Sequence, residues 1–331
     1  MKKVRLGVIG CGGMMNYHLD RVLQMEDVEI VAVADPVEER RNKTAARVVN
    51  GVPKKYENGL ALYDGEKDMD AVYIAVPPNC HIGLEEAAVA RNLPFMVEKP
   101  MTLDPRQAAA IAAEVQQKKL ITAVGFQDRY LDILEIMKAE LSKMQVGLVY
   151  GYWVGGVPGV EWWRKNSTSG GQLLEQNIHL VDMLRALFGE VKTVYAVGGR
   201  GIITQEMWPG YDTEDYSTVV FQFQSGVTAS LFSADYIADD GNGVRSGLTI
   251  IGRAQSMEYD LRNSVRIMSR NQEVFHRRIK DQSWDLDRTF MDAVLSGDGS
   301  KIRSPYPDAL KSLNLCYAAN ESMHTGQPIN L

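Results

Sequence analysis

The sequence predicts a doubly wound α/β domain built on a parallel sheet, followed by an α+β domain with an antiparallel sheet. Three observations carry this expectation. Short β-rich apolar runs alternate with helical patterns through the first third of the chain, strand patterns follow one another without helices in the second half, and a glycine-rich turn joins the first strand to the first helix.

Runs at 4–9, 30–34, 71–76, 95–97 and 121–124 read as strands buried on both faces. Between them, 14–25, 38–49, 81–91 and 105–118 read as helices. Pro105 suits a first-turn position, with Asp104 or Thr102 available as cap. Strand–helix alternation implies right-handed crossovers. From about residue 125 the rhythm changes. Helices are expected at 131–144, 172–188, 284–295 and 308–325, and strands at 191–197, 218–223, 227–233, 248–251, 256–259 and 265–268. Gly226, Gly252 and the segment 239–243 punctuate these strands as turns. The boundary expected from this pattern divides the chain into domains of 1–124 and 125–331.

At 331 residues the chain is long enough for two cores. Its 45% hydrophobic and 24% charged residues are ordinary for a globular protein. A net charge of −6, with Arg40-Arg41 and Arg277-Arg278 the only arginine pairs, argues against a nucleic-acid partner. Cys11, Cys80 and Cys316 form no CxxC or Cys/His cluster, so neither a disulfide framework nor a metal site is expected, and a reducing cytoplasm is. The two lysines before the first apolar run superficially look like a signal peptide, but Arg5 and the glycines at 10, 12 and 13 leave that run too short. No apolar run approaches the length that crosses a bilayer, so no membrane partner is expected.

The first strand ends in Gly10-Cys11-Gly12-Gly13-Met14-Met15. Gly10 permits a tight turn, Gly12 lets a pyrophosphate approach the backbone, and the helix start at Gly13, Met14 and Met15 offers N–H groups and a positive dipole end. Met15 stands where the dinucleotide fingerprint has Gly or Ala, and its bulk is expected to push the helix from the strand. Asp35 closes the second strand, placed to accept hydrogen bonds from an adenosine ribose. A carboxylate there repels a 2′-phosphate, so NAD is the expected cofactor. Arg40 and Arg41 can offset that repulsion, which keeps NADP as the alternative. Two later loops, Pro77-Pro78-Asn79-Cys80-His81 and Glu98-Lys99-Pro100, also lie at carboxyl ends of parallel strands, where such folds bind ligands. Pro77, Asn79, His81 and Glu98 are therefore cofactor-side candidates, although Asn79 and His81 also suit capping of the next helix. Farther on, Glu175, His179 and Asp182 fall at i, i+4 and i+7, on one helical face.

Taken in order, these residues resemble the glucose–fructose oxidoreductase, inositol dehydrogenase and rhizopine catabolism (Gfo/Idh/MocA) family. The resemblance includes the glycine turn, Pro77-Pro78, Glu98-Lys99-Pro100, Gly125-Phe126 with Arg129-Tyr130, Trp162-Trp163-Arg164, the Gly170-Gly171…His179 segment, Asp215 and Thr325-Gly326-Gln327-Pro328. It implies a Rossmann domain followed by a domain whose large, open and mostly antiparallel sheet builds homo-oligomers, here a homodimer or homotetramer. It also implies a lysine, an acid and a histidine near the nicotinamide, matched by Lys99, Glu175 and His179, with Glu175 in place of the family's usual Asp. A cis Lys99–Pro100 peptide is implied as well.

Oxidising a secondary alcohol sends hydride to the nicotinamide and the hydroxyl proton to a base, best one with a pKa near ambient pH. His179 suits that role as its side chain stands. Lys99 needs a depressed pKa, which partial burial beside a cationic nicotinamide supplies. His179 is thus the expected principal acid/base, Lys99 the partner of the reacting oxygen, and Glu175 or Asp182 the orienting acid. Tyr130, Trp162, Trp163, Arg164 and Tyr236 are candidate pocket residues, because aromatic faces suit the C–H faces of a sugar ring. The expected substrate is a sugar, sugar acid or cyclitol. Two other readings are an enzyme that uses tightly held NAD for non-redox glycoside processing and a non-catalytic sugar- or dinucleotide-sensing protein.

Overall fold

The computed structural model describes residues 3–49, 51–237 and 245–331. The expected turn at 239–243 lies outside them. The chain forms two compact units, Met1–Tyr130 with Asp281–Leu310, and Leu131–Lys280 with Lys311–Leu331.

The first unit carries a six-stranded parallel sheet: β1 (Val4–Ile9), β2 (Val28–Ala34), β3 (Lys54–Tyr56), β4 (Ala71–Ile74), β5 (Phe95–Val97) and β6 (Thr122–Val124), in the order β3-β2-β1-β4-β5-β6. The crossovers are α1 (Gly13–Val22), α2 (Glu38–Ala46), α3 (Gly59–Gly65), α4 (Leu84–Ala90) and α5 (Pro105–Lys118). All five expected strands form. The sixth, β3, is a three-residue edge strand beginning with two exposed lysines, too short and polar to carry a periodic signal. In α5, Pro105 takes the first turn and Asp104 accepts the Arg106 N–H at 2.9 Å. Thr102 instead accepts the Asp104 N–H.

A single boundary at 124/125 does not describe these units, because 281–310 returns to the first. Helix α9 spans Gln282–Ser296 and buries Phe290, Met291 and Ala293 in the same core cluster as Val4, Leu6 and Val8 of β1 and Met15, Leu19 and Val22 of α1. Met15 lies fully inside this cluster, so its bulk fills core volume between helix and sheet.

In the second unit, α6 (Asp132–Leu141), α7 (Asn166–Ser169), α8 (Ile178–Phe188) and most of α10 (Tyr306–Thr325) accompany a nine-stranded sheet. Its strands are β7 (Val146–Val154), β8 (Val191–Gly199), β9 (Tyr216–Phe223), β10 (Thr228–Ala234), β11 (Arg245–Gly252), β12 (Gln255–Asp260), β13 (Ser264–Ser269), β14 (Gln272–Arg277) and β15 (Ile329–Asn330). The order is β14-β13-β12-β11-β7-β10-β9-β8-β15, antiparallel except for the central β7–β10 pair. All six strands expected here form. Three further strands were not expected: β7, where two glycines blur the alternation, β14, a polar edge strand, and β15, only two residues long. The inner face is buried: Phe188 of α8 packs on Phe223 of β9, and Ser322 of α10 accepts the Ala196 N–H of β8. The helix expected over 172–188 is α-helical only from Ile178, because Leu173–Asn177 form a π turn.

Gly10 has φ +84°, and a Cβ there would lie 2.2 Å from the Ala75 carbonyl oxygen of the neighbouring chain segment. Gly10→Ala therefore combines left-handed backbone strain with a backbone clash. It is expected to cost about 2–3 kcal/mol, measured as a lowered urea midpoint at unchanged m-value.

Candidate active site

On the first unit, the β1 turn has the features a dinucleotide needs. Added Cβ atoms at Gly12 and Gly13 meet nothing within 4 Å, so the backbone is open to a bulky phosphate. Helix α1 begins there without a side-chain cap and without an acid in its first turn, leaving its N–H groups and dipole uncompensated. Met14 is exposed beside the turn, while the side chain of Met15 faces the core. Asp35, buried at the end of β2, accepts the Cys11 N–H through Oδ2 and the Val37 N–H through Oδ1, each at 2.8 Å. Its carboxylate is thereby fixed against the glycine turn. Arg41 donates to the carbonyl oxygens of Asp35 and Pro36, whereas Arg40 is exposed. These residues fit NAD: the open glycines and free helix start suit the pyrophosphate, and the held carboxylate suits the ribose hydroxyls.

The next two loops leave the same edge of the sheet. Pro77 precedes a short turn at Pro78–Cys80, and Asn79 is exposed on it. His81 turns inward. Its Nδ1 lies 2.5 Å from Glu85 Oε1 and its Nε2 lies 3.3 Å from the Val76 carbonyl oxygen, so the ring braces the loop. After β5, Glu98 is buried, Lys99 is half-buried, and the Lys99–Pro100 peptide is cis. Glu98 Oε2 accepts the Lys99 N–H at 3.1 Å, and Oε1 lies 2.9 Å from His18 Nε2. His18 Nδ1 lies 2.8 Å from Asp287 Oδ1, which also accepts from the Tyr73 hydroxyl at 3.1 Å. Burial disfavours a charged His18, but the Asp287 and Glu98 carboxylates outweigh it and push the imidazole up to about 10. It is an imidazolium donating from both nitrogens at neutral pH. Tyr130 is buried, and its hydroxyl accepts the Arg303 N–H at 2.9 Å.

Sequence reasoning missed His18 and Asp287. A signal was present: His18 interrupts the apolar stripe Met15, Leu19, Val22 of α1, and Asp287 interrupts Leu286, Phe290, Met291 of α9.

In the second unit, Glu175 sits within the π turn and His179 in the first turn of α8, both buried. The regular i, i+4 face expected for them is altered by the wider turn, a geometry common at functional sites. The His179 ring stacks on Trp153 of β7, with centroids 6.2 Å apart and planes at 23°. Asp182 accepts the Ser312 hydroxyl at 2.6 Å and lies 3.9 Å from Arg185, which also binds Glu190. Trp162 and Trp163 stack on each other at 5.8 Å. Arg164 donates to the carbonyls of Pro158 and Gly159 and lies over Trp208 at 4.1 Å, so its guanidinium organises this loop. Tyr236 stands edge-on to Tyr216. Two buried acids face each other where β9 and β10 begin to part. The Asp235 N–H donates to the Asp215 carbonyl, and Asp215 Oδ2 accepts the N–H groups of Ile202 and Ile203. Burial, reinforced by the Asp215 charge, pushes Asp235 up to about 8. Among the described residues no group of three or more His, Cys, Asp or Glu side chains is arranged to hold a metal ion, and no helix is long and apolar enough to cross a membrane.

Residues 4–126 match the model of an oxidoreductase family with an NAD-binding Rossmann fold, and residues 145–258 match the GFO/IDH/MocA C-terminal domain. The chain belongs to the Gfo/Idh/MocA oxidoreductase family. Within the family it is similar to the rhizopine catabolism protein MocA of Rhizobium meliloti, 30% identical over 202 residues that span 60% of this chain and 61% of that protein. It is also similar to myo-inositol 2-dehydrogenase of Thermotoga maritima, 24% identical over 99% of this chain and 98% of that one. The fold is shared with an oxidoreductase from Agrobacterium radiobacter solved with NAD+, L-tartaric acid and magnesium: TM-score 0.84 at 19% identity, covering 99% and 98% of the two chains. As a Gfo/Idh/MocA protein, the chain is an NAD-binding oxidoreductase.

The Asp235 pKa is higher in the fold than its ordinary value of 3.8. The native state therefore holds an extra proton between those values, and stability falls as pH rises through that window. Asp235→Asn is expected to raise Tm at pH 8.5 by a few degrees, each kcal/mol being worth about 2–4 °C. The gain should vanish toward pH 4 in a pH series of thermal melts.

Proposed function

We propose that this Gfo/Idh/MocA protein transfers a hydride between NAD and a secondary hydroxyl or carbonyl of a sugar, sugar acid or cyclitol, with NADP as the alternative cofactor. The observation that carries the reading is the position of Lys99, half-buried after β5 at the same sheet edge as the glycine turn and Asp35. Relatives named as inositol dehydrogenases support the substrate class.

When bound, NAD supplies the hydride acceptor. The turn from Gly10 to Met15 binds its pyrophosphate through backbone N–H groups, and Asp35 accepts from the ribose, with Pro77, Asn79 and the Glu98–Lys99 peptide along the rest of the edge. His179 takes the hydroxyl proton at a ring nitrogen, its plane held by the Trp153 stack. The Lys99 ammonium donates to the reacting oxygen and favours its anionic form. Glu175 orients substrate or histidine, and the Trp162–Trp163 pair offers a flat apolar face to a sugar ring. Tyr130 and Arg164 act by shaping the chain around them, given their bonds to Arg303, Pro158 and Gly159.

The homo-oligomer and cytoplasmic location belong to the same proposal. Leu148 and Tyr150 of β7, Phe232 of β10 and Ile251 of β11 are exposed on one face of the nine-stranded sheet, a surface suited to a second copy. Light scattering on the purified protein tests for a dimer or tetramer.

Screening a polyol and sugar panel for NADH absorbance tests the reaction. Lys99→Ala and His179→Ala are each expected to lower kcat/KM by about 10²–10⁴, with NADH affinity by fluorescence nearly unchanged. Full turnover in either variant overturns the reading. Asp35→Ser is expected to weaken NAD and improve NADP relative to it by at least about tenfold, read as the ratio of the two kcat/KM values.

A further inference from the structure

We infer that Glu98, His18 and Asp287 form a positioning relay that holds the Lys99 peptide in place for hydride transfer, which makes Asp287 of α9 a functional residue of the reaction. The inference rests on the role proposed above for Lys99. Asp287 lies outside both regions that match the family models, 4–126 and 145–258.

The geometry forms an unbroken chain. The Lys99 N–H donates to Glu98 Oε2 at 3.1 Å, His18 Nε2 donates to Glu98 Oε1 at 2.9 Å, and His18 Nδ1 donates to Asp287 Oδ1 at 2.8 Å. The three ionisable side chains are at most 6% exposed. Both Glu98 oxygens are engaged, so its carboxylate cannot turn without releasing either Lys99 or His18. Gly125 leaves room for this orientation, since a Cβ at position 125 would stand 2.2 Å from Glu98 Oε1. At the far end, Tyr73 of β4 donates to Asp287. One turn earlier on α9, the Ser283 hydroxyl bonds Tyr17 of α1 at 2.8 Å and Gln127 at 2.5 Å. Helix α9 is thus locked in register where it meets α1.

A buried ionic bridge is an expensive way to join helices. Apolar residues of similar volume hold such contacts as well or better, and α9 already packs Phe290 and Met291 into the core. What the bridge adds is directional restraint on one peptide, the one that carries Lys99. An error of about 1 Å in placing a catalytic group costs about a hundredfold in rate, so a stiff support under Lys99 has a functional return that packing lacks.

The test pairs His18→Phe and Asp287→Asn with Lys99→Ala in the full-length enzyme. Each single relay variant is expected to lower kcat by about 30–100-fold with KM for NAD and polyol changed less than about threefold. Adding either change to Lys99→Ala should slow it no further, since groups acting as one unit are not additive. A relay variant with normal kcat, or one whose loss multiplies that of Lys99→Ala, overturns the relay and leaves it a structural brace. A second readout needs neither turnover nor cofactor and serves if His18→Phe does not fold. In ¹³C-lysine-labelled protein, the Lys99 ε-carbon resonance and its titration should shift in Asp287→Asn and His18→Gln, and an unchanged Lys99 signal refutes the relay. If Lys99→Ala alone retains full turnover, the proposed function fails, and the resonance experiment still decides whether the relay reaches Lys99.

Discussion

Parallel pairing of the six strands of the first unit is the constraint on which its chemistry depends. Each strand must return by a crossover to run beside its neighbour in the same direction, so every strand delivers its carboxyl end to one edge. Residues separated by about ninety positions, from Gly10 through Asp35 and Pro77 to Lys99, therefore emerge side by side. The close approach of Gly10 to the Ala75 oxygen is a direct consequence, since β1 and β4 are neighbours and their following segments must pass within contact distance. No side chain is compatible with that approach, and the turn it forces opens the start of α1 toward a phosphate.

The two units stabilise buried acids in opposite ways. In the first, one imidazolium lies between Glu98 and Asp287, and its retained proton offsets much of the cost of burying them. In the second, Asp215 is held by two backbone N–H groups while Asp235 meets its charge in a buried place, and the proton stays on Asp235 instead. A bridging cation transmits position from one element to another. A proton retained on one buried acid makes local stability respond to pH.

Several residues whose chemistry suits a ligand are used by the fold itself. His81 braces its loop through Glu85 and Val76, the Tyr130 hydroxyl receives the Arg303 N–H, and Arg164 ties together the carbonyls that precede it. A side chain's donors do not reveal in the sequence whether backbone groups will claim them, since those backbone groups arrive from positions fixed only by folding. Met15 teaches the converse. It departs from the small residue of the dinucleotide fingerprint, and the core absorbs it because its flexible side chain fills the volume between helix and sheet.

The sequence by itself determined the alternation that makes a parallel sheet, the glycine turn with Asp35, the Glu98-Lys99-Pro100 loop, the histidine segment and the family. These are local patterns, each written within a few consecutive residues. Tertiary structure decided what joins distant positions. The return of 281–310 to the first unit, the insertion of β7 at the centre of the second sheet, the π turn at Leu173–Asn177 and the convergence of His18, Glu98 and Asp287 were all settled there. The physical reason is that periodicity records which face a residue buries, whereas the partner it meets depends on the register of elements packed against that face.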